Sequence, residues 1–348
     1  MVKMIMWLIF PLSLSITLYS GELMQEHPLI AVFKEKKEIT KLETFVPLNE
    51  SAIVQDIEPS SNFKKMGCLV LAGGQGTRLG VDGPKGCVQL PLQEKKTLFE
   101  LIFEKVNEKG RDLSLAVMTS PINHEATIKY FEEHDYFGLT NVSVFSQEMM
   151  PVCDEEGNLY GDMESPDGNG KALKNLFDSG VWEVWKANGV EVVQVIPVDN
   201  PKAEPFDGEL LAIHEKEQVD LVLKCIRRDS PKEKLGVIGE ERGKLMIREY
   251  SELTERMQGL GFPLGNTGLF SCSMDFAARA SKIELPWHLA HKQAGAVWIW
   301  KFETFIFDLF PYANSFKVII SERKNCFAPL KNCSGPDSLE TVAKALMT

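Results

Sequence analysis

No Cys-x-x-Cys pair occurs in the 348 residues. The seven cysteines, Cys68, Cys87, Cys153, Cys225, Cys272, Cys326 and Cys333, are odd in number and scattered through apolar segments. Neither a disulfide framework nor a structural zinc site is expected, and a reducing compartment is the natural setting. Positive charge is also short: 38 Lys and Arg stand against 49 Asp and Glu, a net charge of −11. A general nucleic-acid binder needs clustered cations to neutralise phosphates, so that class is excluded. An anionic ligand must then be met in one local positive site, with a metal ion as its natural companion. The six histidines contain no His-x-x-x-His pair, and His288 and His291 lack a nearby acidic partner, so the histidines read as structural. Internal repeats and low-complexity tracts are missing. Hydrophobic residues at 44% and charged residues at 25% are globular values, which excludes intrinsic disorder.

Long apolar runs are nearly absent. The exception is Met4 to Leu18, with Lys3 ahead of it and Ser20-Gly21 behind. It is shorter than the roughly 20 residues a spanning helix needs, and Pro11 would kink one. It has the form of a signal-peptide apolar region. A cleaved signal, a short anchor, or an upstream start with true initiation at Met24 all fit it. From Glu22 to Ser61 the chain is charged, with Lys34-Glu35-Lys36-Lys37-Glu38 and two prolines, and reads as a small surface arm. The expected division is an N-terminal hydrophobic segment and charged arm over 1–61 and one catalytic domain over 62–348.

What is present is an alternation. Cys68 to Ala72 is a short unbroken apolar run, which suits a buried strand. A glycine-rich loop follows, then a helix from Thr97 to Lys109, a strand over Leu115–Met118 and a helix from His124 to His134. The pattern continues with a strand at Val142–Phe145, one helix over Lys171–Lys186 and the longest strand at Val190–Val198. Strands at Val219–Ile226, Lys244–Tyr250 and Phe316–Ile320 complete it. Such alternation predicts an α/β fold, a mixed but mostly parallel sheet with helices on both faces. Ligands of such sheets sit beyond the carboxyl ends of the strands.

The loop after the first strand reads Leu71-Ala-Gly-Gly-Gln-Gly-Thr-Arg-Leu-Gly80, followed by Val-Asp-Gly-Pro84-Lys85. A dinucleotide fingerprint G-x-G-x-x-G starting at Gly74 needs glycine at 79, where leucine stands. A P-loop needs its lysine followed by Ser or Thr, and here Gly86 follows Lys85. Both motifs fail on spacing. What remains is a turn whose backbone N–H groups can approach phosphate oxygens closely, with Arg78 and Lys85 as cations on it. A turn whose glycines only relieve crowding would not need both cations and a Pro-Lys step.

This string, with Pro84-Lys85, resembles the signature of UTP:sugar-1-phosphate uridylyltransferases, in particular eukaryotic-type UDP-N-acetylglucosamine pyrophosphorylases. The resemblance runs over roughly residues 66 to 333. It passes through Met118-Thr-Ser120, Asp135-Tyr-Phe-Gly-Leu139, Val144-Phe-Ser-Gln147-Glu-Met-Met-Pro151 and Pro166-Asp-Gly-Asn-Gly170. Val198-Asp-Asn200, Glu249-Tyr-Ser-Glu252, Gly265-Asn266 and Pro329-Leu-Lys-Asn332 follow in the same order. It implies a Rossmann-like nucleotide-diphospho-sugar transferase fold and uridylyl transfer from UTP to a sugar 1-phosphate, with Mg²⁺ as cofactor.

Residue by residue, it implies that Leu71, Ala72, Gly73, Gly74, Lys85, Gln147, Gly168, Asp199 and Lys331 bind UTP. Arg78, Lys85 and Lys331 would stabilise charge, and Asp199 would hold the metal. Asn169, Glu249, Tyr250, Asn266 and Lys301 would meet the sugar phosphate. Each has a chemical reason. The Gln147 amide carries the donor and acceptor that the uracil edge requires. Asp199, at a strand end, can hold Mg²⁺ against phosphate oxygens. The ordinary alternatives are a surface glutamine, a β-turn at 166–170, solvated lysines, and for Asp199 an N-cap of the helix beginning near Asp207, which is eight residues too far on. Two departures are visible: Lys171 stands where the family has a further glycine, and the turn at Gly265-Asn266 is abbreviated. The expected product is UDP-N-acetylglucosamine, with UDP-glucose as the alternative. A nicotinamide oxidoreductase and a non-catalytic nucleotide-sugar binding protein are the rival classes. The substrates are cytosolic, which favours initiation at Met24 and a cytoplasmic protein without a nucleic-acid or membrane partner.

Overall fold

The computed structural model describes residues 29–30 and 44–347. The Met4–Leu18 run and the Lys34–Glu38 cluster lie outside the described residues. The main sheet has eleven strands. Its central path runs Ile53–Val54, Phe316–Ser321, Leu221–Arg227, Leu264–Ser273, Val192–Pro197, Met66–Leu71, Ser114–Thr119, Val142–Ser146. Leu264–Ser273 runs antiparallel to both neighbours, and the other pairings of this path are parallel. The mixed, mostly parallel α/β sheet predicted by the alternation is therefore present.

Continuous apolar runs were the signal because both faces are covered. Along Met66–Leu71, Cys68 and Val70 enter one core and Leu69 the other. The first core also takes Phe99, Ile102 and Phe103 of the Leu98–Lys109 helix, and Leu210 and Leu211 of Gly208–Glu217. The second takes Leu173 and Leu176 of Ala172–Asp178, Trp182 and Trp185 of Val181–Ala187, and Phe276 of Met274–Ala280. Fully burying each such side chain contributes about 1.5–3 kcal/mol. The Leu98–Lys109 helix starts on a capping box, Thr97 accepting from Glu100 N and Glu100 accepting from Thr97 N, and stops at Gly110.

Several expectations need correction. The single helix over Lys171–Lys186 is two, Ala172–Asp178 and Val181–Ala187, because Gly180 takes a left-handed φ of +78° between them. The longest strand is not Val190–Val198, of which Val192–Pro197 is regular, but the ten-residue Leu264–Ser273. Gly265-Asn266 therefore lies in a strand and not a turn, beside an irregularity at Lys224/Cys225 of the neighbouring strand. The boundary at residue 61 does not isolate an arm from the sheet. Phe45–Pro47 pairs with Val237–Glu241, and Ile53–Val54 with Phe316–Ser321.

A second, four-stranded antiparallel sheet, ordered His288–Ala294, Val297–Glu303, Met149–Cys153, Leu159–Pro166, was not anticipated. Among the described residues no helix is long and apolar enough to cross a membrane. All seven cysteines are free.

Candidate active site

The crevice lies beyond the carboxyl ends of Met66–Leu71, Ser114–Thr119 and Val192–Pro197. The glycine loop leaves Leu71, returns through an antiparallel bridge between Gln75 and Pro84, and is closed by Lys85 N donating to Gly74 O at 3.0 Å and Gly76 N to Gly83 O at 2.9 Å. Its carbonyls are turned into the protein. Asn123 Nδ2 donates to Ala72 O at 2.9 Å and to Gly74 O at 3.1 Å, and Ser120 Oγ donates to Gly73 O at 2.8 Å. In a trans peptide the N–H of the next residue points opposite to the carbonyl. The N–H groups of Gly73, Gly74 and Gln75 therefore face outward, and none has a partner among the described residues. Three consecutive free N–H groups form a concavity for an anion.

Asn123 was not singled out by the sequence, and Ser120 appeared there only as the end of the Met118-Thr-Ser120 string, with no role assigned. Asn123 stands immediately before the His124–Glu133 helix, where asparagine reads as a cap, yet its side chain makes no capping bond and serves the loop instead. Both residues are buried.

Gln147 lies over this loop. A β-carbon on Gly73 would come within 2.5 Å of Gln147 Oε1, so the glycine is what lets the amide sit there. Gln147 is buried, and its side-chain amide makes no hydrogen bond to a described residue. The residue keeps 7% of its surface exposed and its amide is not cut off from solvent, so the amide is open to a ligand.

The cations assemble opposite. Lys85, 8% exposed, places Nζ 3.2 Å from Asp199 Oδ2 and donates to Leu330 O at 3.4 Å. Asp199 follows the Val192–Pro197 strand, and its own carbonyl accepts from Leu330 N at 2.7 Å. Neighbouring Asn200 fastens the late segment by donating to Cys326 O at 2.8 Å and accepting from Ala328 N at 3.0 Å. Lys331 follows Leu330, the residue bonded to both Lys85 and Asp199, and its ammonium acts on the Glu249 carboxyl. Arg78, on the single turn Thr77–Leu79, is exposed and has no ion pair among the described residues.

The sugar-phosphate candidates fall into three places. Glu249 and Tyr250 open the Tyr250–Glu252 turn. Though Glu249 is exposed, desolvation and neighbouring Glu252 raise its carboxyl above the usual range, while Lys331 and His288 pull it back. Gly236 joins Glu249 to Asn266: its carbonyl accepts from Asn266 N at 2.8 Å, and a β-carbon on it would lie 3.4 Å from Glu249 Oε1. Asn169 accepts from Ile306 N at 3.1 Å, which commits its oxygen and leaves its NH₂ to offer. Gly168 (φ +86°) is required by the chain itself, since a β-carbon there would meet Thr304 O at 2.4 Å. Lys301 lies in the Val297–Glu303 strand of the second sheet. Burial and Lys292 lower its pKa and Glu303 opposes them, and no contact joins it to the glycine loop among the described residues.

The histidine reading is overturned in part. His288 Nε2 lies 2.6 Å from Asp308 Oδ2, and His291 Nε2 lies 3.7 Å from Glu155 Oε1. Asp308 is 20 residues further along, so folding and not local sequence creates the pair.

Asp199 is the carboxylate that faces Lys85 at the mouth of the loop. Among the described residues no group of three or more His, Cys, Asp or Glu could cage a metal. A lone carboxylate fits Mg²⁺, which binds through one or two carboxylates together with substrate phosphates.

Comparison with known proteins agrees with this geometry. The family model described as UTP–glucose-1-phosphate uridylyltransferase matches residues 24–339. A probable UDP-N-acetylglucosamine pyrophosphorylase of Dictyostelium discoideum is 32% identical over 323 residues, covering 78% of this chain and 66% of that one. UDP-N-acetylglucosamine diphosphorylase 2 of Arabidopsis thaliana is 33% identical over 311 residues, 78% of this chain and 62% of that protein. The chain thus spans less than two thirds of the length of these curated relatives. Among solved structures, the uridine diphosphate N-acetylglucosamine pyrophosphorylase of Trypanosoma brucei, in complex with inhibitor, superposes with a TM-score of 0.78 at 25% identity, covering 91% of this chain and 74% of that one. A putative UDP-N-acetylglucosamine pyrophosphorylase of Entamoeba histolytica gives 0.75 at 27% identity, over 81% and 80%. A loop with three outward N–H groups, the lysine and aspartate that face each other at its mouth, and a match over most of the length lead to one conclusion: the chain belongs to the UTP–glucose-1-phosphate uridylyltransferase family.

Proposed function

We propose that the protein transfers the uridylyl group of UTP to N-acetylglucosamine 1-phosphate, releasing pyrophosphate. The observation that carries this reading is the closeness of three unpartnered N–H groups (Gly73, Gly74, Gln75) to the Lys85–Asp199 ion pair that closes the same loop. That is a site for a polyanion in a protein of net charge −11.

The chemistry is a single displacement. A phosphate oxygen of the sugar 1-phosphate attacks the α-phosphorus of UTP in line; that P–O bond forms as the bond to the β-phosphate oxygen breaks. Such transfer asks the protein for positioning and charge stabilisation. The loop amides and Lys85 grip the triphosphate, and Arg78 and Lys331 meet charge developing on the leaving pyrophosphate. Gln147 reads the uracil edge over Leu71, Ala72 and Gly73. Gly168 shapes the loop that carries Asn169 to the sugar, while Glu249, Tyr250 and Asn266 meet its hydroxyls and Lys301 its phosphate. Mg²⁺, held by Asp199 and the triphosphate, would supply further positive charge there. A cytoplasmic setting belongs to the same proposal, as UTP and sugar 1-phosphates are cytosolic.

The relatives' printed names favour the acetylglucosamine substrate. The family description names glucose 1-phosphate instead, which keeps UDP-glucose synthesis as the second reading. Incubating the protein with UTP, Mg²⁺ and a panel of sugar 1-phosphates while assaying pyrophosphate tests both. Release with N-acetylglucosamine 1-phosphate is expected. Strong preference for glucose 1-phosphate would overturn the sugar and leave the transfer, and release with none of the panel would overturn the function.

A further inference from the structure

Lys171 holds an ammonium between segments that the proposed reaction needs in register. Nζ lies 2.5 Å from Glu148 Oε2 and 3.1 Å from Asp167 Oδ2, and 5.4 Å from the centroid of the Trp287 ring. Glu148 directly follows Gln147, and Asp167 directly precedes Gly168-Asn169. The two segments also touch through backbone, Asp167 N donating to Glu148 O at 3.2 Å. The far side of the loop is held by Thr304 N donating to Asp167 O at 2.8 Å and by Asn169 accepting from Ile306 N.

Asp167 makes the dependence on Lys171 strong. Its side chain is fully buried and its one close polar contact among the described residues is the Lys171 ammonium; burial raises its carboxyl above the usual range, Lys171 pulls it back and Glu148 adds to the rise. A buried carboxylate in that state is costly unless a cation compensates it, and Lys171 is the cation within reach. The ammonium is itself partly buried, at 23% side-chain exposure. Burial opposes its charge, and the Glu148 and Asp167 carboxylates more than restore it, raising its pKa above the ordinary lysine value. Glu148 is more exposed than Asp167, at 55% against 0% of the side chain. The clamp thus has one fixed jaw under the Gly168-Asn169 turn and one looser jaw beside Gln147.

We infer that Lys171 is a positioning residue of the candidate site: by holding Asp167 and Glu148 together it sets the Gly168-Asn169 turn relative to the Gln147 amide, so that one cation aligns the sugar end of the ligand with its base end. The inference rests on the uridylyltransferase reading and deepens it. Because the resemblance places a glycine at this position, the clamp is a feature of this chain and not one carried over. A lysine that only compensated Asp167 would affect folding stability and leave ligand binding alone.

The test compares Lys171→Met, Lys171→Arg and the double variant Asp167→Asn with Lys171→Met. Thermal melting, UTP binding by calorimetry, and KM and kcat for UTP and the sugar 1-phosphate are measured on each. Lys171→Met should weaken both substrates together, by roughly 10–100-fold in kcat/KM, the range set by a hydrogen-bonded charge. Lys171→Arg, which keeps a cation able to reach both carboxylates, should stay close to wild type. The double variant, which removes the buried charge along with its partner, should regain melting temperature but keep the loss in kcat/KM, because the clamp between Asp167 and Glu148 is still missing. Wild-type UTP affinity and KM in Lys171→Met, or their return in the double variant, with the melting temperature as the only other change, would overturn the positioning role while leaving the uridylyltransferase reading intact. Wild-type protein that neither binds UTP nor releases pyrophosphate would overturn that reading and this inference together.

Discussion

Lys85 Nζ and Asp199 Oδ2 stand 3.2 Å apart, and the pair ties the end of the glycine loop to the end of the central Val192–Pro197 strand. Leu330 completes the tie, its carbonyl accepting from Lys85 and its N–H donating to Asp199 O. Three segments distant in sequence therefore meet at one ion pair. On the proposed function, a triphosphate entering there would compete with Asp199 for Lys85, and a divalent cation would compete with Lys85 for Asp199. The pair keeps both charges compensated until ligand arrives.

Replacing Lys85 by alanine removes a cation from the transferring group and leaves Asp199 unpaired. Turnover should fall by about 10²–10³-fold, the usual loss for one electrostatic contact to a developing charge. Steady-state pyrophosphate release checks it. Asp199→Asn should also lose most turnover while staying folded, and wild-type-like activity with an unchanged Mg²⁺ optimum would remove Asp199 from the chemistry.

Gln147→Ala should weaken UTP far more than the sugar 1-phosphate if the amide, which sits over Gly73, reads the base end of the ligand as proposed. Titration of each substrate separately checks this. Equal losses would mean that the glutamine only packs.

Asn123 turns two loop carbonyls inward. Asn123→Ala leaves Ala72 O without a side-chain donor, while Gly74 O keeps Lys85 N, and should cost about 1–3 kcal/mol of stability, the penalty of one unsatisfied buried group. UTP binding should weaken as well, since the outward set of the Gly73–Gln75 amides depends on those carbonyls. Denaturant unfolding and calorimetry on the same variant separate the two effects. Loss of stability with full UTP affinity would show that the loop holds its shape without Asn123.

His214 supplies a pH prediction remote from the crevice. It is buried, donating through Nδ1–H to Val219 O at 3.1 Å and accepting at Nε2 from Ser271 Oγ at 2.9 Å. Burial pushes its imidazole down to about 4 from 6.5, against the pull of those two hydrogen bonds. The folded state therefore refuses a proton that the unfolded state accepts. Stability from this group is fully present above pH 6.5 and is lost as the pH falls from 6.5 toward 4, by about 3 kcal/mol in total. The difference in melting temperature between wild type and His214→Gln should shrink over that interval. A difference independent of pH would mean that His214 is not held neutral.

Much of this organisation was readable because it is local. Cys68–Ala72 is unbroken apolar sequence, both faces of its strand are buried, and the glycine-rich loop follows at once. Gln147 and Asp199 were legible as residues ending strands. Leu264–Ser273 was not, since two glycines and the polar Asn266-Thr267 interrupt its pattern, and its burial comes from the strands on either side. The second sheet escaped for a related reason: Leu159–Pro166 is mostly exposed and carries no apolar run. The His288–Asp308 pair and the service of Asn123 to the loop are products of tertiary contact, which spacing in one sequence does not encode.

Tracing UTP radiolabelled at the α-phosphorus tests the central claim most directly. With Mg²⁺ and N-acetylglucosamine 1-phosphate, the label should appear in the UDP-sugar, with unlabelled pyrophosphate formed in equal amount and no labelled protein at any time. Label that remains in UTP with every sugar 1-phosphate offered, or that becomes covalently attached to the protein, would contradict direct uridylyl transfer at this site.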